Sequence, residues 1–210
     1  MITGATFVTN SASGEGGGLY ISGSTTVSNT DFFNNLSGGN GGGVSVVGFF
    51  ASLTSIIVNN STFNSNTAIN SNGGGGIAIT GNANMIFNLA DSFVLNNDAT
   101  IGAGINVLGG NVIIDTTEIN NNFGDGIDSC TADGITIRQS LIALNSARGY
   151  VGCISDVLDI TNSTVSSNLA TSGLSTLGTA NLSFVTVYGN AGVGLMGVDN
   201  AKNSIIAGNA

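Results

Sequence analysis

The chain has 210 residues, with 33 glycines and neither proline, tryptophan nor histidine. Because histidine is absent, the composition excludes a Ser-His-Asp triad, a histidine general base and a zinc site that needs imidazole. The net charge of −9, with three cationic side chains, argues against binding to nucleic acid or to an anionic membrane surface. Hydrophobic residues make up 41% of the chain, so we expect a folded protein with a core, and no apolar run is long enough to span a membrane.

A short phrase recurs nine times: an apolar residue, two variable residues and an asparagine. The asparagines follow one another at a mean spacing of about 25 residues, which is typical of one coil of a solenoid. Stacked coils would place the asparagines in one file and the apolar residues in another. The predicted asparagine ladder is Asn10, Asn35, Asn66, Asn96, Asn122, Asn145, Asn168, Asn190 and Asn209, and the predicted apolar ladder is Phe7, Phe32, Phe63, Phe93, Ile119, Ile142, Val165, Val187 and Ile206.

Short strands are predicted between the asparagines. In chain order, glycine-led apolar runs follow the first asparagines, and alternating runs with β-branched residues precede the later phrases. No segment shows a sustained helical period. The sequence predicts a single all-β domain over 1–210, a parallel β-helix of about nine coils stacked roughly 4.8 Å apart. The glycine-led runs are 18–21, 43–46, 76–79 and 104–107, and the alternating runs are 135–138, 158–161 and 182–185.

The residue types suit the sharp turns, or corners, that must connect the strands within each coil. Asparagine tolerates the left-handed backbone conformation that a corner needs, and its amide can bond the equivalent amide one coil away. We therefore expect the ladder asparagines themselves to be left-handed. The glycine runs are interpreted as the other corners, and the absence of proline fits coils that all donate N–H groups to a neighbour.

Several segments resemble known repeat proteins. Residues 162–168, 182–190 and 203–209 are similar to repeats of bacterial secreted right-handed parallel β-helix proteins that carry a C-terminal surface anchor. The glycine runs and Phe-x-x-Asn pairs of 16–66 resemble those of chlamydial polymorphic outer membrane proteins. The resemblance implies right-handed coils and a secreted or cell-surface, adhesive role, and the pectate-lyase-like fold that it implies also hosts polysaccharide lyases and hydrolases, so fold alone does not settle function.

Equal coil lengths allow some neighbours to be paired from the sequence. Cys130 and Cys153 are 23 residues apart and lie equally far after their asparagines, so they should face each other at a distance that a disulfide can bridge. They form either a disulfide or a stack of reduced, buried thiols.

The same spacing of 23 residues places oppositely charged residues side by side on neighbouring coils. It places Asp115 beside Arg138 and Asp125 beside Arg148, both read as exposed ion pairs between coils.

Two further carboxylates, Asp133 and Asp156, are paired without a cation. They are solvated, share a proton or bind Ca²⁺. Asp125 and Asp128 also lie in a single Gly-Asp-Gly-x-Asp stretch that resembles one calcium-binding nonapeptide repeat. We expect no cofactor, with Ca²⁺ as the open alternative.

Three functions are weighed. We expect a non-catalytic extracellular or cell-surface structural or adhesion module, with glycans, a host surface, its own continuing chain or further copies stacked end to end as partners. The sequence shows no amphipathic capping helix, which favours a fragment of a longer chain or a fibre subunit. The alternative is a polysaccharide lyase or hydrolase, whose best candidate residues are Arg138, Asp115, Glu118 and Asp159 on one outer face.

Ice binding is the third possibility, since flat β-solenoids achieve it with regular threonine arrays. The outward residues before each phrase are predicted to be irregular, with an exposed apolar stripe at Ile57, Phe87 and Ile113 that would mark a partner site.

Overall fold

The chain forms a right-handed parallel β-helix in a computed structural model that describes residues 1–48, 53–69, 73–130, 132–154 and 156–210. Every strand pairing in the described ranges is parallel and joins one coil to the next. We number the coils one to nine by their ladder asparagines, from Asn10 to Asn209. The described ranges contain no helix long and apolar enough to cross a membrane.

Each coil passes through up to four sheets, named here in the order in which the chain enters them. The first sheet contains Ile2–Thr3, Thr25–Ser28, Thr54–Asn59, Met85–Ala90, Asn111–Asp115, Gly134–Arg138, Val157–Thr161, Thr179–Ser183 and Asn200–Lys202. The second contains Thr6–Val8, Asp31–Phe33, Thr62–Asn64, Phe93–Leu95, Glu118–Asn120, Leu141–Ala143, Thr164–Ser166, Thr186–Tyr188 and Ile205–Ala207. The third is short and contains Ser11–Ala12, Leu36–Ser37, Thr67–Ala68 and Asp98–Ala99. The fourth contains Leu19–Ser22, Val44–Gly48, Ile77–Gly81, Ile105–Leu108, Ile127–Ser129, Tyr150–Gly152, Ser172–Thr176 and Val193–Met196.

The main core is a continuous apolar column inside the coils, and Ala68, Ala99 and Ala103 form a second, small cluster. Strands of the first sheet alternate buried and exposed residues, as in Met85–Ala90, because successive side chains point to opposite faces. Phe7, Phe32 and Phe63 stack with nearly parallel rings whose centroids lie 4.9 and 4.8 Å apart. Because the rings stack on one another from coil to coil, each gains a favourable aromatic contact in addition to its burial.

The asparagine ladder runs the full length of the coils and uses every polar atom of its buried side chains. Asn145 is typical: its Nδ2 donates to Asn168 Oδ1 at 2.9 Å and to the Ile119 carbonyl at 3.2 Å. Its Oδ1 accepts from Asn122 Nδ2 at 2.9 Å and from the Asn122 backbone N–H at 3.1 Å. Both donors and both acceptor positions of the amide are thus used, as burial requires.

Coil four corrects the predicted register. Asn97, not Asn96, occupies the ladder position, and accepts from Asn66 Nδ2 at 3.0 Å. In the same strand Val94 pairs with Phe63 and is buried, whereas Phe93 points outward and is 45% exposed. The predictions for Asn96 and Phe93 were therefore wrong by one residue, because Phe-x-x-Asn and Val-x-x-Asn both fit the phrase at this point.

The corner geometry also differs from the prediction. The left-handed residue is the one before each ladder asparagine, and it includes Asn96 (φ 54°) and Leu144 (φ 55°). The ladder asparagines themselves have negative φ, because their side chains must turn inward to bond along the stack. A left-handed Leu is uncommon, since its Cβ approaches the carbonyl oxygen.

A second buried ladder, of hydroxyls, lies at the corner between the first and second sheets. Ser61 Oγ, for example, accepts from the Thr30 N–H at 3.2 Å and donates to the Asn59 carbonyl at 2.8 Å. The hydroxyl precedes the inward residue by two positions, so Ser92 identifies Val94 as the inward residue of coil four. This spacing is the sequence signal that would have fixed the register. The buried hydroxyls of this ladder are Thr30, Ser61, Ser92, Thr117, Ser140 and Ser163. Val185 takes the position in coil eight, and its N–H donates to the half-buried Ser204 of coil nine.

A column of glycines lies directly against the asparagine ladder, each glycine beside the amide of the next coil. A Cβ on Gly149 would lie 2.7 Å from the Gly173 carbonyl oxygen and 2.8 Å from Asn168 Nδ2. Side chains are excluded here because the asparagine amides occupy the space that a Cβ would need. The column consists of Gly18, Gly43, Gly76, Gly104, Gly126, Gly149, Gly173 and Gly194.

Candidate functional site

The chemically distinctive part of the described structure lies at the fourth sheet of coils five and six. Here a disulfide joins Cys130 to Cys153, whose Cα atoms are 4.9 Å apart. Both cysteines follow the last strand residue of their coil and are half-buried. The bond links two coils directly, at the turn that leads back to the first sheet.

Asp125 and Arg148 form a bidentate ion pair between these coils. Arg148 Nε donates to Asp125 Oδ1 and Nη2 to Oδ2, each at 3.0 Å, and the Arg148 backbone N–H donates to Oδ1 at 2.8 Å. The Asp125 side chain is only 7% exposed, against 35% for Arg148, so the expectation of an exposed pair was wrong for Asp125. The hydrogen bonds that Arg148 donates to Asp125 raise the pKa of Arg148 above its usual range. Within the described ranges it is the one ion pair closer than 4.0 Å.

Asp128 lies beside this pair on the outward side of its strand. It is half-buried, and burial raises its pKa from 3.8 to about 6. The negative charges of Asp125 and Asp156 raise the pKa of Asp128 further, and the positive charge of Arg148 lowers it. Burial and the neighbouring carboxylates together favour the protonated form of Asp128.

The two carboxylates without a predicted cation, Asp133 and Asp156, occupy equivalent places but differ in burial. Asp156 is 1% exposed, and its Oδ1 and Oδ2 accept from the backbone N–H groups of Ala132 and Cys153, both at 3.0 Å. Asp133 is exposed and accepts from the Gly110 N–H at 3.1 Å. Both therefore bind backbone donors of the turns.

The four carboxylates considered as calcium ligands each have a different set of neighbours. Asp125 is bound to Arg148, Asp133 and Asp156 accept from backbone N–H groups, and Asp128 lies on the outer side of its strand. No group of three or more acidic or cysteine side chains in the described residues could hold a metal ion.

Tyr150 is a buried polar residue that the sequence reasoning did not single out. Its side chain fills the core in register with Ile127 and Leu174, and burial raises the pKa of its hydroxyl well above the usual range. The charge of Asp156 also raises it, whereas the nearby Ser129 hydroxyl lowers it. The 23-residue spacing from Ile127 would have identified the position as inward.

The four residues considered for polysaccharide cleavage are not on one face. Asp115 and Arg138 are register partners in the first sheet, and Asp159 lies in the neighbouring outward column, where it accepts from Asn181 Nδ2 at 2.9 Å. Glu118 lies beyond the corner, in the second sheet, where Asn120 Nδ2 donates to its Oε1. The expectation of a common face for all four was wrong because the chain turns at Thr116.

The outward column of the first sheet also differs from the predicted one. Asn88, not Phe87, lies between Ile57 and Ile113, and Phe87 is fully buried. The predicted apolar stripe is therefore interrupted by an amide. The described column, which does not repeat threonine regularly, is Thr26, Ile57, Asn88, Ile113, Thr136, Asp159, Asn181 and Asn200.

Comparison with known proteins adds no family to this geometry. The chain matches none of the family models, curated proteins or solved structures with which it was compared.

Proposed function

We propose that the chain is a non-catalytic structural or adhesion module that acts outside the cell or at its surface. The observation that carries this proposal is the continuity of the ladders: hydrogen-bonded asparagines connect all nine coils from Asn10 to Asn209. Most of the buried polar groups described above are used to hold one coil on the next. Such a scaffold offers long, regular outer faces and little convergence of reactive groups.

The disulfide supports an extracellular location. Cys130 and Cys153 are bonded across coils, and structural disulfides persist mainly in oxidising compartments. The chain's net charge of −9 favours solubility and partners other than nucleic acid. Candidate partners are a glycan, a host surface, the continuation of the chain or a second copy stacked on a terminal coil.

Binding and turnover must be measured together to separate adhesion from catalysis. We expect the purified chain to bind some members of a glycan array and to release neither reducing ends nor unsaturated products from acidic polysaccharides. Turnover that disappears in Arg138→Ala but persists in the matched cationic variant Lys202→Ala would overturn the non-catalytic proposal. An ice-recrystallisation assay tests the remaining alternative, for which we expect no inhibition.

A further inference from the structure

The inner face of the fourth sheet changes character along the molecule. One inward column is apolar in coils one to four and then becomes small or polar in coils five to seven. The strand pairings define this column as Ile21, Val46, Ile79, Val107, Ser129, Gly152 and Thr176.

Tyr150 occupies the space that this change opens. It is fully buried, and a Cβ placed on Gly152 would lie 2.9 Å from Tyr150 Cε1 and 3.0 Å from its hydroxyl oxygen. The same point is 3.0 Å from Thr176 Oγ1. The phenol therefore lies over Gly152, and its hydroxyl and that of Thr176 border the same region of the core.

Two of the hydroxyls in this region lack a well-formed hydrogen bond. Ser129 Oγ and the Tyr150 hydroxyl are buried and close enough to interact with each other, but neither makes a hydrogen bond of ordinary length and angle to a described protein atom. Thr176 Oγ1 accepts from the Gly178 N–H at 3.0 Å and keeps its own proton available. Buried hydroxyls without partners are costly, and native proteins usually satisfy them with internal water.

We propose that the core of coils five to seven binds an internal water molecule through Ser129, Tyr150 and Thr176. Three hydroxyls supply the two to four hydrogen-bonding partners that a buried water needs, and each can act as donor or acceptor. Water fits better than a cation because the bordering groups are neutral hydroxyls, while both oxygens of the nearby Asp156 carboxylate accept from backbone N–H groups. The site would satisfy the polar core beneath the disulfide-linked turns.

A high-resolution crystal structure of the unmodified chain tests the proposal directly. We expect a solvent peak about 2.7–3.2 Å from at least two of the three hydroxyl oxygens. A direct hydrogen bond between Ser129 and Tyr150 without a solvent peak would overturn the proposal. So would a site that takes up rubidium or thallium in a soak, because that site would bind a cation.

Variants give a second, solution measurement. Tyr150→Phe and Ser129→Ala each remove one partner, so we expect the loss of one long-lived water in ¹⁷O magnetic relaxation dispersion. Tyr20→Phe, which removes an exposed hydroxyl, is the matched control and should retain the water. An unchanged count of long-lived waters in both folded core variants would contradict the proposal, and if neither variant folds, the crystal structure of the unmodified chain decides.

Discussion

At the scale of single residues, the buried amides of the asparagine ladder are stabilising because each meets a matching amide one coil away. An amide that repeats along a stack can donate to one neighbour and accept from the other. Asn145 does so between Asn122 and Asn168, and bonds to backbone groups as well. A single substitution therefore leaves unsatisfied groups on both sides of the altered coil.

Asn145→Ala should lower the free energy of unfolding by about 3 kcal/mol, since the N–H and amide of Asn122 and the Oδ1 of Asn168 would lose buried partners. Asn181→Ala is the control, because Asn181 bonds Asp159 on the outer face. We expect that variant to change stability by only about 0.5 kcal/mol. Chemical denaturation measures both, and equal losses would contradict the role assigned to the ladder.

Asp128 makes stability depend on pH. Its pKa is raised from 3.8 to about 6, so the folded chain binds this proton more tightly than the unfolded chain. The resulting stabilisation is complete below about pH 4 and is lost as the pH rises through about 6. Asp128→Asn should therefore melt at a higher temperature than the unmodified chain at pH 7.5, with a difference that disappears below about pH 4.

Thermal melts across this pH range check the prediction, and Asp31→Asn, at an exposed position of the second sheet, corrects for the loss of one negative charge. A difference for Asp128→Asn that stays constant with pH would refute it.

At the scale of elements, the glycine column and the asparagine ladder depend on each other. The strand of the fourth sheet begins where glycine lets the backbone approach the amides, as Gly149 does at Asn168. The glycines of this column have φ values that other residues adopt, so space rather than backbone conformation requires them. The third sheet ends at Asp98–Ala99. In the later coils the chain therefore passes from the second sheet to the glycine column without a strand of the third sheet.

Gly149→Ala should cost about 2–3 kcal/mol, because its Cβ would meet backbone and amide atoms that cannot move away. Gly134→Ala is the matched control: the one atom near its Cβ is Asn111 Oδ1 at 3.3 Å. It should be neutral or stabilising by about 0.5 kcal/mol, since alanine restricts the unfolded chain. Similar losses in both variants, measured by denaturation, would show that the column is not sterically required.

At the scale of the whole molecule, stability is a sum over coils and their interfaces, as in other solenoids. The disulfide adds a covalent link across one such interface, closing a loop with a sequence separation of 23. Cross-linking restricts the unfolded chain, and the gain grows with the length of the loop.

Replacing both cysteines by serine should therefore lower the free energy of unfolding by about 3 kcal/mol. Calorimetry should show the same decrease when the unmodified chain is reduced, whereas the double variant should not respond to reductant. A reduced chain as stable as the oxidised one would contradict a structural role for this bond.

The sequence by itself determined the number of coils, the parallel stacking and most of the register, because each coil repeats the same apolar and asparagine positions. It also placed Cys130 beside Cys153 and Asp125 beside Arg148, since coils of equal length put residues 23 apart in register. Only the tertiary structure decided that Val94 and Asn97 face inward in coil four, because adjacent residues fit the phrase equally well and the hydroxyl ladder selects one. It likewise decided burial, since spacing fixes which residues are neighbours but not whether a side chain such as Asp125, Asp156 or Tyr150 lies inside or outside the coil.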